Sequence, residues 1–254
     1  MQDSGTVTTQ VADGVGTVTF GHPKGNSLPA ALLADLAARI TALGRDPEAR
    51  VIALRSEGNG PFCAGASFAE LASIDTAERG TSFFMGFANL INAMRECPKL
   101  IVTRVHGKVV GGGVGMVAAS DYAVAGAAAQ VKLSELAVGF GPFVVGPAIE
   151  RKIGSGNFAA LSVDATGWRS AEWAHERGLY AELHGDVAAL DERLAQLIPQ
   201  LASSNPEAMA TMKRVFWEGT DHWRELLAAR AKMSGRLVLS TFAREAIERF
   251  SRRD

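Results

Sequence analysis

Short apolar runs alternate with longer amphipathic stretches through the first two thirds of the chain. The first two runs flank Asp13-Gly14 and alternate apolar with polar residues, a pattern that predicts an opening β-hairpin. Later apolar runs predict buried strands, and the segments between them carry helical spacing. This alternation is typical of an α/β fold with a largely parallel sheet. The predicted strands are residues 7–10, 15–20, 51–56, 100–105 and 122–125, and helices are predicted from Pro29, over 76–95 and after the glycines at 111–115.

After about residue 167 the pattern becomes helical almost throughout. Only residues 180–183 keep strand character, and neither a Gly/Ser linker nor an internal repeat sets this part apart. We therefore expect residues 1–166 to form an α/β core and residues 167–254 a helical C-terminal region packed on that core or on a partner chain. The helices predicted there are 170–177, 187–203, 206–217, 221–239 and 242–252.

Composition argues against several classes of protein. The 254 residues carry 26 basic and 27 acidic side chains, so no surface for nucleic acid is expected. No run approaches the roughly 18 apolar residues of a membrane-spanning helix, and the first ten residues lack the apolar segment of a signal peptide. The two cysteines predict no disulfide framework, and the five histidines show no metal-ligand spacing. The expected compartment is the cytoplasm, with no metal and no membrane contact.

A glycine-rich corner, residues 111–115 (Gly-Gly-Gly-Val-Gly), is the most informative local feature. It follows the predicted strand 100–105 and precedes an alanine-rich stretch, which predicts a tight turn into a helix. The first N–H groups of a helix have no intrahelical partner and can hold a phosphate or the oxygen of a polarised carbonyl. Close packing of the helix on the sheet would need the same glycines. A dinucleotide-binding fingerprint is disfavoured, because the glycine spacing is wrong and the corner lies in mid-chain.

A second corner of small residues, 63–67 (Cys-Ala-Gly-Ala-Ser), follows the predicted strand 51–56. Two corners that present N–H groups suggest two donors converging on one oxygen. Cys63 is either a nucleophile at this corner or, more simply, a small residue that fills a tight turn. Ser67 lies in Gly-Ala-Ser-Phe-Ala, which lacks the second glycine of a Gly-x-Ser-x-Gly elbow, and this argues against a serine hydrolase.

Glu135 is the one carboxylate that stands out for proton transfer. Its neighbours along the chain are mostly apolar, and burial there would raise its pKa towards the range useful for an acid–base catalyst. Two structural interpretations remain open. Glu135 would be paired with Lys132 or Arg151, or it would simply be an acidic residue at a helix N-terminus.

Several segments in a fixed order resemble the crotonase superfamily, the enoyl-CoA hydratase/isomerase family. These segments are HPKGNSLP, FCAGASFAEL, VHGKVVGGGVGMVAASDYAVA, LSELAVGFGP and SAEWAHERGLYAEL, and they extend over nearly the whole chain. The resemblance implies a crotonase-like ββα-repeat core with a C-terminal helical extension. It also implies an acyl-CoA substrate whose thioester oxygen is held by the N–H groups of Ala66 and Gly112, with Glu135 as a catalytic carboxylate.

The same resemblance implies further contacts with coenzyme A and with other subunits. The loop from Lys24 through Asn26 to Leu28 would touch the CoA, and Ala64 and Phe68 would flank its adenine. Phe242 would reach the CoA of a neighbouring subunit. The expected assembly is a homotrimer or a dimer of trimers with the C-terminal helices at the trimer contact. No cofactor is expected beyond the CoA thioester itself.

Three departures from the family pattern bear on the reaction. Family hydratases use two glutamates around one water, and the position of the first is Gly115 here. Phe143 stands where hydratases have glycine and some isomerases have aspartate, and Ser67 replaces an aspartate. With Glu135 as the only base, the resemblance favours double-bond isomerisation of an enoyl-CoA, with Phe143 in the substrate pocket. The alternatives are a one-carboxylate hydratase, a hydrolytic or lytic enzyme using Cys63 or a water activated by Glu135, and an acyl-CoA-binding homologue without chemistry.

Overall fold

The computed structural model describes residues 5–251, without the side chain of Ser251, and within them the chain forms an α/β fold around a six-stranded sheet. The strands are β1 (Thr6–Ala12), β2 (Val15–Gly21), β3 (Val51–Ser56), β4 (Ile101–Val105), β5 (Val109–Val110), β6 (Tyr122–Gly126), β7 (Val131–Lys132) and β8 (Glu182–His184). The main sheet has the order β1-β2-β3-β4-β6-β8, and only β1 and β2 pair antiparallel. The predicted largely parallel sheet is confirmed.

The opening hairpin forms where the sequence predicts it. Asp13 and Gly14 both have positive φ angles, 51° and 78°, as a two-residue hairpin turn of matching twist requires. The resulting register pairs Val7 with Phe20, which places both apolar side chains on the buried face.

Helices cover both faces of the main sheet. They are α1 (Ala30–Arg45), α2 (Phe68–Ser73), α3 (Ala77–Glu96), α4 (Gly112–Ala118), α5 (Glu135–Val138), α6 (Gly146–Val163), α7 (Ala171–Glu176), α8 (Val187–Ala202), α9 (Pro206–Phe216), α10 (Trp223–Leu237) and α11 (Thr241–Ser251). The main core lies between the sheet and α1, α3 and α10, whereas a smaller core lies under α8 and α9. Neighbouring strand residues such as Val51 and Ile52 face opposite cores, as the period of a strand requires. None of the helices in the described part of the chain is long and apolar enough to cross a bilayer.

The C-terminal helices form close to their predicted bounds and pack back onto the same chain. The helix α10 lies directly on α3, and α11 lies on α2 and α5. The sheet itself continues past residue 166, because β8 pairs with β6. The division at residues 166 and 167, and the role of 167–254 in trimer formation, stay predictions. Arg252, the last residue of the predicted final helix, lies outside the described residues.

A second, smaller layer of strand-like pairs positions the functional corners. Its centre is the parallel pair β5–β7. Single bridges extend it on both sides, with Cys63 beside Val109 and Arg169 beside Val131, while Leu28 pairs with Ala66. Each of these segments contributes only one or two residues to the pairing, yet together they bring five distant parts of the chain next to one another.

Candidate active site

The two small-residue corners meet because their segments are hydrogen-bonded neighbours. The N–H of Cys63 donates to the carbonyl of Lys108 at 3.2 Å, and the N–H of Val110 donates to the carbonyl of Cys63 at 2.9 Å. Both segments run in the same direction, so the chain leaves them on the same side, at Ala66 and at Gly112. These two residues line one cavity together with Glu135.

The backbone at both corners leaves two N–H groups free. Gly111 has φ 52° and ψ −119°, a conformation that a residue with a Cβ rarely adopts, and its N–H donates to the carbonyl of Lys132 at 2.9 Å. This turn directs the next N–H, that of Gly112, away from the small layer. Within residues 5–251 neither the N–H of Gly112 nor that of Ala66 donates to another group. Two free donors in one cavity form a candidate oxyanion hole.

Glu135 begins the short helix α5, directly after the segment that pairs with the glycine corner. The residue is half-buried, and its Oε2 is enclosed with no hydrogen-bond partner in the described part of the chain. Burial of the carboxylate raises its pKa from 4.5 to about 7. The carboxylate also lies against the corner, since a Cβ built on Gly111 would be 2.9 Å from Oε1. A carboxylate with an unpartnered oxygen and this raised pKa is suited to move a proton near neutral pH.

The pairing with Lys132 or Arg151 that the sequence left open is absent from the described structure. The ammonium group of Lys132 lies over the ring of Trp168, 4.4 Å from its centroid. The guanidinium group of Arg151 donates to the carbonyl of Phe216, at 3.1 Å from its Nε.

Aromatic side chains form most of the cavity wall. The rings of Phe84 and Phe140 meet edge to face with centroids 5.2 Å apart. Phe87 closes the cavity beside the corner, because a Cβ on Gly112 would lie 2.1 Å from a carbon of its ring. The cavity volume is about 50 Å³. The five phenylalanines that line it are Phe68, Phe84, Phe87, Phe140 and Phe143.

Val145 fills the space beside Gly115, the position at which the resemblance places a first glutamate. A Cβ built on Gly115 would lie 2.5 Å from Cγ1 and 2.6 Å from Cβ of Val145. Gly115 is buried, and Val145 also lines the cavity. The site therefore holds one carboxylate, and the volume next to it is taken by an apolar side chain.

The family model described as enoyl-CoA hydratase/isomerase matches residues 10–253. The chain belongs to the enoyl-CoA hydratase/isomerase family. In fold it is similar to the crystal structure of an enoyl-CoA hydratase from Bacillus halodurans, with a TM-score of 0.87 and 22% identity over 96% of this chain and 99% of that one.

Two relatives known by sequence carry different names. A probable enoyl-CoA hydratase of Bacillus subtilis is 26% identical over 239 residues, which cover 93% of this chain and 92% of the relative. The (7aS)-7a-methyl-1,5-dioxo-2,3,5,6,7,7a-hexahydro-1H-indene-carboxyl-CoA hydrolase of Rhodococcus jostii is 34% identical over 132 residues. The latter match spans 52% of this chain and only 51% of the relative, about half of each.

The CoA contacts implied by the family resemblance fall into two groups in the structure. Ala64, Phe68 and Phe143 line the cavity. Phe68 also packs against Phe250 of α11, with ring centroids 5.7 Å apart. Phe242 is 60% exposed and lies beside Gly139, outside the cavity wall. Contact of any of these residues with CoA stays a prediction.

The loop that precedes α1 presents one of its three predicted contact residues to solvent. Lys24 is exposed, whereas Asn26 and Leu28 are buried. The side-chain amide of Asn26 donates to the carbonyls of Glu57 (2.9 Å) and Pro61 (3.0 Å), and its Oδ1 accepts from the N–H of His22 (2.9 Å). The amide of Asn26 therefore holds the loop in shape. Any CoA contact at Asn26 or Leu28 would have to be made by backbone atoms.

Cys63 is unsuited to act as a nucleophile. Its side chain is fully buried, and burial raises the pKa of the thiol to about 12. Its Sγ accepts from the N–H of Gly65 at 3.4 Å, which fits the alternative that Cys63 fills a tight turn. Among residues 5–251, no three His, Cys, Asp or Glu side chains cluster in a way that could hold a metal ion.

Four cavity residues carry no sequence signal that marks them as site residues. The phenylalanines at positions 84 and 87 carry a helical apolar pattern that indicates only a core face, and Val145 and Ser234 carry no local signal at all. Their place in the site depends on how α3, α6 and α10 pack, which no motif records.

Proposed function

We propose that the protein moves the double bond of an enoyl-CoA thioester from carbon 3 to carbon 2, with Glu135 as its only base. One observation carries the proposal: a carboxylate with an enclosed, unpartnered Oε2 and a pKa of about 7 lies in one cavity with two free backbone N–H groups. Belonging to the enoyl-CoA hydratase/isomerase family supports an acyl-CoA substrate.

In the proposed reaction the thioester oxygen accepts hydrogen bonds from the N–H groups of Ala66 and Gly112. The carboxylate of Glu135 removes a proton from carbon 2, and the electrons of the C–H bond move towards the thioester oxygen to form the enolate. The protonated Glu135 then returns the proton to carbon 4 while the double bond forms between carbons 2 and 3. No proton or electron is gained or lost overall. Each N–H donor is expected to contribute about 10²–10³ in rate, and the base about 10²–10⁴.

Hydration is the weaker alternative because it needs a water held and deprotonated in the site. In the two-glutamate arrangement that water lies between two carboxylates. Here Gly115 has no side chain, and Val145 occupies the adjoining volume. A one-carboxylate hydratase stays an alternative, with Glu135 serving both steps of a concerted addition.

Thioester hydrolysis is the second candidate, and the likeness to the hydrolase of Rhodococcus jostii favours it. The same N–H groups would then stabilise a tetrahedral intermediate, and Glu135 would activate a water. The buried thiol of Cys63, with its raised pKa, argues against the cysteine route. We also propose a trimer or a dimer of trimers, in which the 60% exposed ring of Phe242 would contact another subunit; light scattering on the purified protein would test this assembly.

The deciding experiment follows three thioesters of equal chain length: a 3-enoyl-CoA, a 2-enoyl-CoA and the saturated acyl-CoA. Migration in the first, with little water addition to the second and no release of CoA from the third, is the expected result. The same reactions in D₂O should place deuterium on carbon 2 of the bound thioester. Release of CoA as the main reaction would favour hydrolysis, and the absence of both deuterium exchange and turnover would indicate a binding protein without chemistry.

A further inference from the structure

The cavity contains two polar side chains that the proposed reaction does not use, half-buried Ser134 and buried Ser234. Its lining is apolar except for backbone groups and three side chains, Ser134, Glu135 and Ser234. The lining residues, all of them within the described chain, include no lysine, arginine or histidine. An acyl group with a second negative charge would therefore find no counter-charge in this cavity.

Ser234 reaches the cavity because α10 packs on α3 at unusually short range. A Cβ on Gly80 would lie 2.7 Å from the carbonyl oxygen of Gly235, and a Cβ on Gly235 would lie 2.4 Å from the backbone nitrogen of Thr81. Only glycine allows this approach at both positions. The residue next to Gly235 is thereby held at the wall formed by Phe84 and Phe87.

The hydroxyl group of Ser234 has no hydrogen-bond partner within residues 5–251, although the residue is only 1% exposed. Serines inside helices commonly donate to the carbonyl four residues earlier, as Ser162 does to Phe158 at 2.7 Å. Ser234 does not, so its hydroxyl group is left free to form a hydrogen bond with a molecule bound in the cavity.

We propose that Ser234 donates a hydrogen bond to an uncharged oxygen on the acyl group, so that the preferred substrates are acyl-CoA thioesters with a keto or hydroxyl group beyond the reacting carbons. This inference rests on the proposed acyl-CoA substrate, and it adds the class of acyl group. The phenylalanine walls accept the hydrocarbon part, and the absence of a cation in the lining excludes a terminal carboxylate from the preferred class.

The test pairs the Ser234→Ala variant with two series of acyl-CoA thioesters. One series carries a single keto or hydroxyl oxygen at successive carbons from carbon 5 onwards, and the other has CH₂ at the same positions. The wild type should prefer one position in the oxygenated series. Ser234→Ala should lose that preference: the ratio of kcat/KM for the best oxygenated thioester to kcat/KM for its plain counterpart should fall roughly three- to tenfold, as expected for one neutral hydrogen bond.

Two controls separate substrate recognition from a structural effect. The melting temperature of Ser234→Ala should equal or exceed that of the wild type, because no internal hydrogen bond is lost. In contrast, Ser120→Ala should lower the melting temperature, because buried Ser120 shares a hydrogen bond with Thr103 and donates to the carbonyl of Met116. Equal losses on both substrate series, or a wild type that ignores the oxygen, would overturn the proposal.

Binding measurements on saturated thioesters test the role of Ser234 independently of which reaction the enzyme catalyses. Titration calorimetry of saturated keto-acyl-CoA and its plain counterpart needs no turnover. If the plain 3-enoyl-CoA is not isomerised but the affinity difference disappears in Ser234→Ala, the proposed reaction fails while the role of Ser234 stands. If isomerisation proceeds but the saturated pair binds equally well to the wild type, only the role of Ser234 fails.

Discussion

Two enclosed carboxylates in this chain have opposite surroundings. The side chain of Asp121 is 3% exposed and accepts hydrogen bonds from Lys213 Nζ (2.7 Å), Trp217 Nε1 (3.0 Å) and the N–H of Ile101 (2.7 Å). Glu135 has an enclosed Oε2 that accepts none from the described residues. The first carboxylate ties α9 to the sheet, and the second faces an apolar cavity beside two free N–H groups.

The comparison indicates that one carboxylate of this fold stabilises the structure while the other is available for catalysis. A buried charge that is fully paired is neutral or helpful to folding, but it is no longer available to a substrate. A buried carboxylate without a partner destabilises the ionised native state and is thereby prepared to take up a proton. No residue around Asp121 lines the cavity, so variants of the two regions should affect different measurements.

The largest effect is expected from Glu135→Gln, which removes the proton carrier and keeps the shape. The catalysed rate should fall by about 10²–10⁴ while acyl-CoA affinity changes by no more than a few fold. Steady-state rates and calorimetric titration measure the two. Glu150→Gln, which alters an exposed carboxylate on α6, is the control and should behave as the wild type. If Glu135→Gln kept more than about a tenth of the activity, Glu135 would not be the base.

The second-largest effect is expected in the free energy of unfolding, when Asp121 loses the ammonium group of Lys213. Lys213→Met removes an ammonium group that donates to Asp121 and to the carbonyl of Lys99 at 3.0 Å. The remaining buried charge should lower the free energy of unfolding by about 3–5 kcal/mol, measured by urea denaturation. Arg79→Met breaks an exposed ion pair with Asp75 and should cost less than about 1 kcal/mol. A similar small loss for Lys213→Met would show that the Asp121 cluster does not stabilise the fold.

Most helices and strands of the fold could be predicted from sequence periodicity, because their apolar faces are long enough to show it. The strands β5 and β7 could not, since two residues carry no period. The helix α6 was missed as well. Its sequence contains Gly154, where φ is 75° and the helix is interrupted, so neither half has a long apolar stripe. These elements lie next to the site: β5 and β7 hold the corners, and α6 begins directly after Val145.

The candidate site could be predicted only where chemistry leaves a local signal. Glycines at a turn and a carboxylate among apolar residues do so, and the structure brings Ala66, Gly112 and Glu135 to one cavity. Val145 and Ser234 leave none, because a valine before a helix or a serine inside one is ordinary until its neighbours in space are known. What the cavity excludes is therefore decided by packing between elements distant in the sequence.

The pH dependence of stability should report the raised pKa of Glu135, with a smaller change in the free energy of unfolding than that expected for Lys213→Met. Because the pKa of Glu135 is raised from 4.5 to about 7, the native state holds a proton there that the unfolded state has released. The free energy of unfolding should therefore fall as pH rises from about 4.5 to 7, by at most about 3 kcal/mol, and then level off. Over the same range kcat/KM should rise, since the base must be ionised. Urea denaturation of the wild type and of Glu135→Gln at several pH values isolates this contribution, which should be absent from the variant. Parallel curves for the two proteins would contradict the raised pKa.

The smallest expected effect comes from building a second carboxylate into the cavity, which moves the Glu135 region towards a two-glutamate site. Gly115→Glu alone should distort the fold, because its Cβ would overlap Val145 at 2.5 Å. The double variant Gly115→Glu with Val145→Gly removes that overlap and leaves room for a carboxylate and a water. The ratio of water addition to double-bond migration should then rise a few fold, measured by product analysis on a 2-enoyl-CoA and a 3-enoyl-CoA. Val145→Gly alone is the matched control: it opens the same space without the carboxylate and should leave the ratio unchanged. The opposite result would be a folded double variant that binds CoA and gains no hydration, beside a wild type that already hydrates efficiently. It would mean that the missing glutamate does not decide the reaction and that Glu135 alone supports a hydratase.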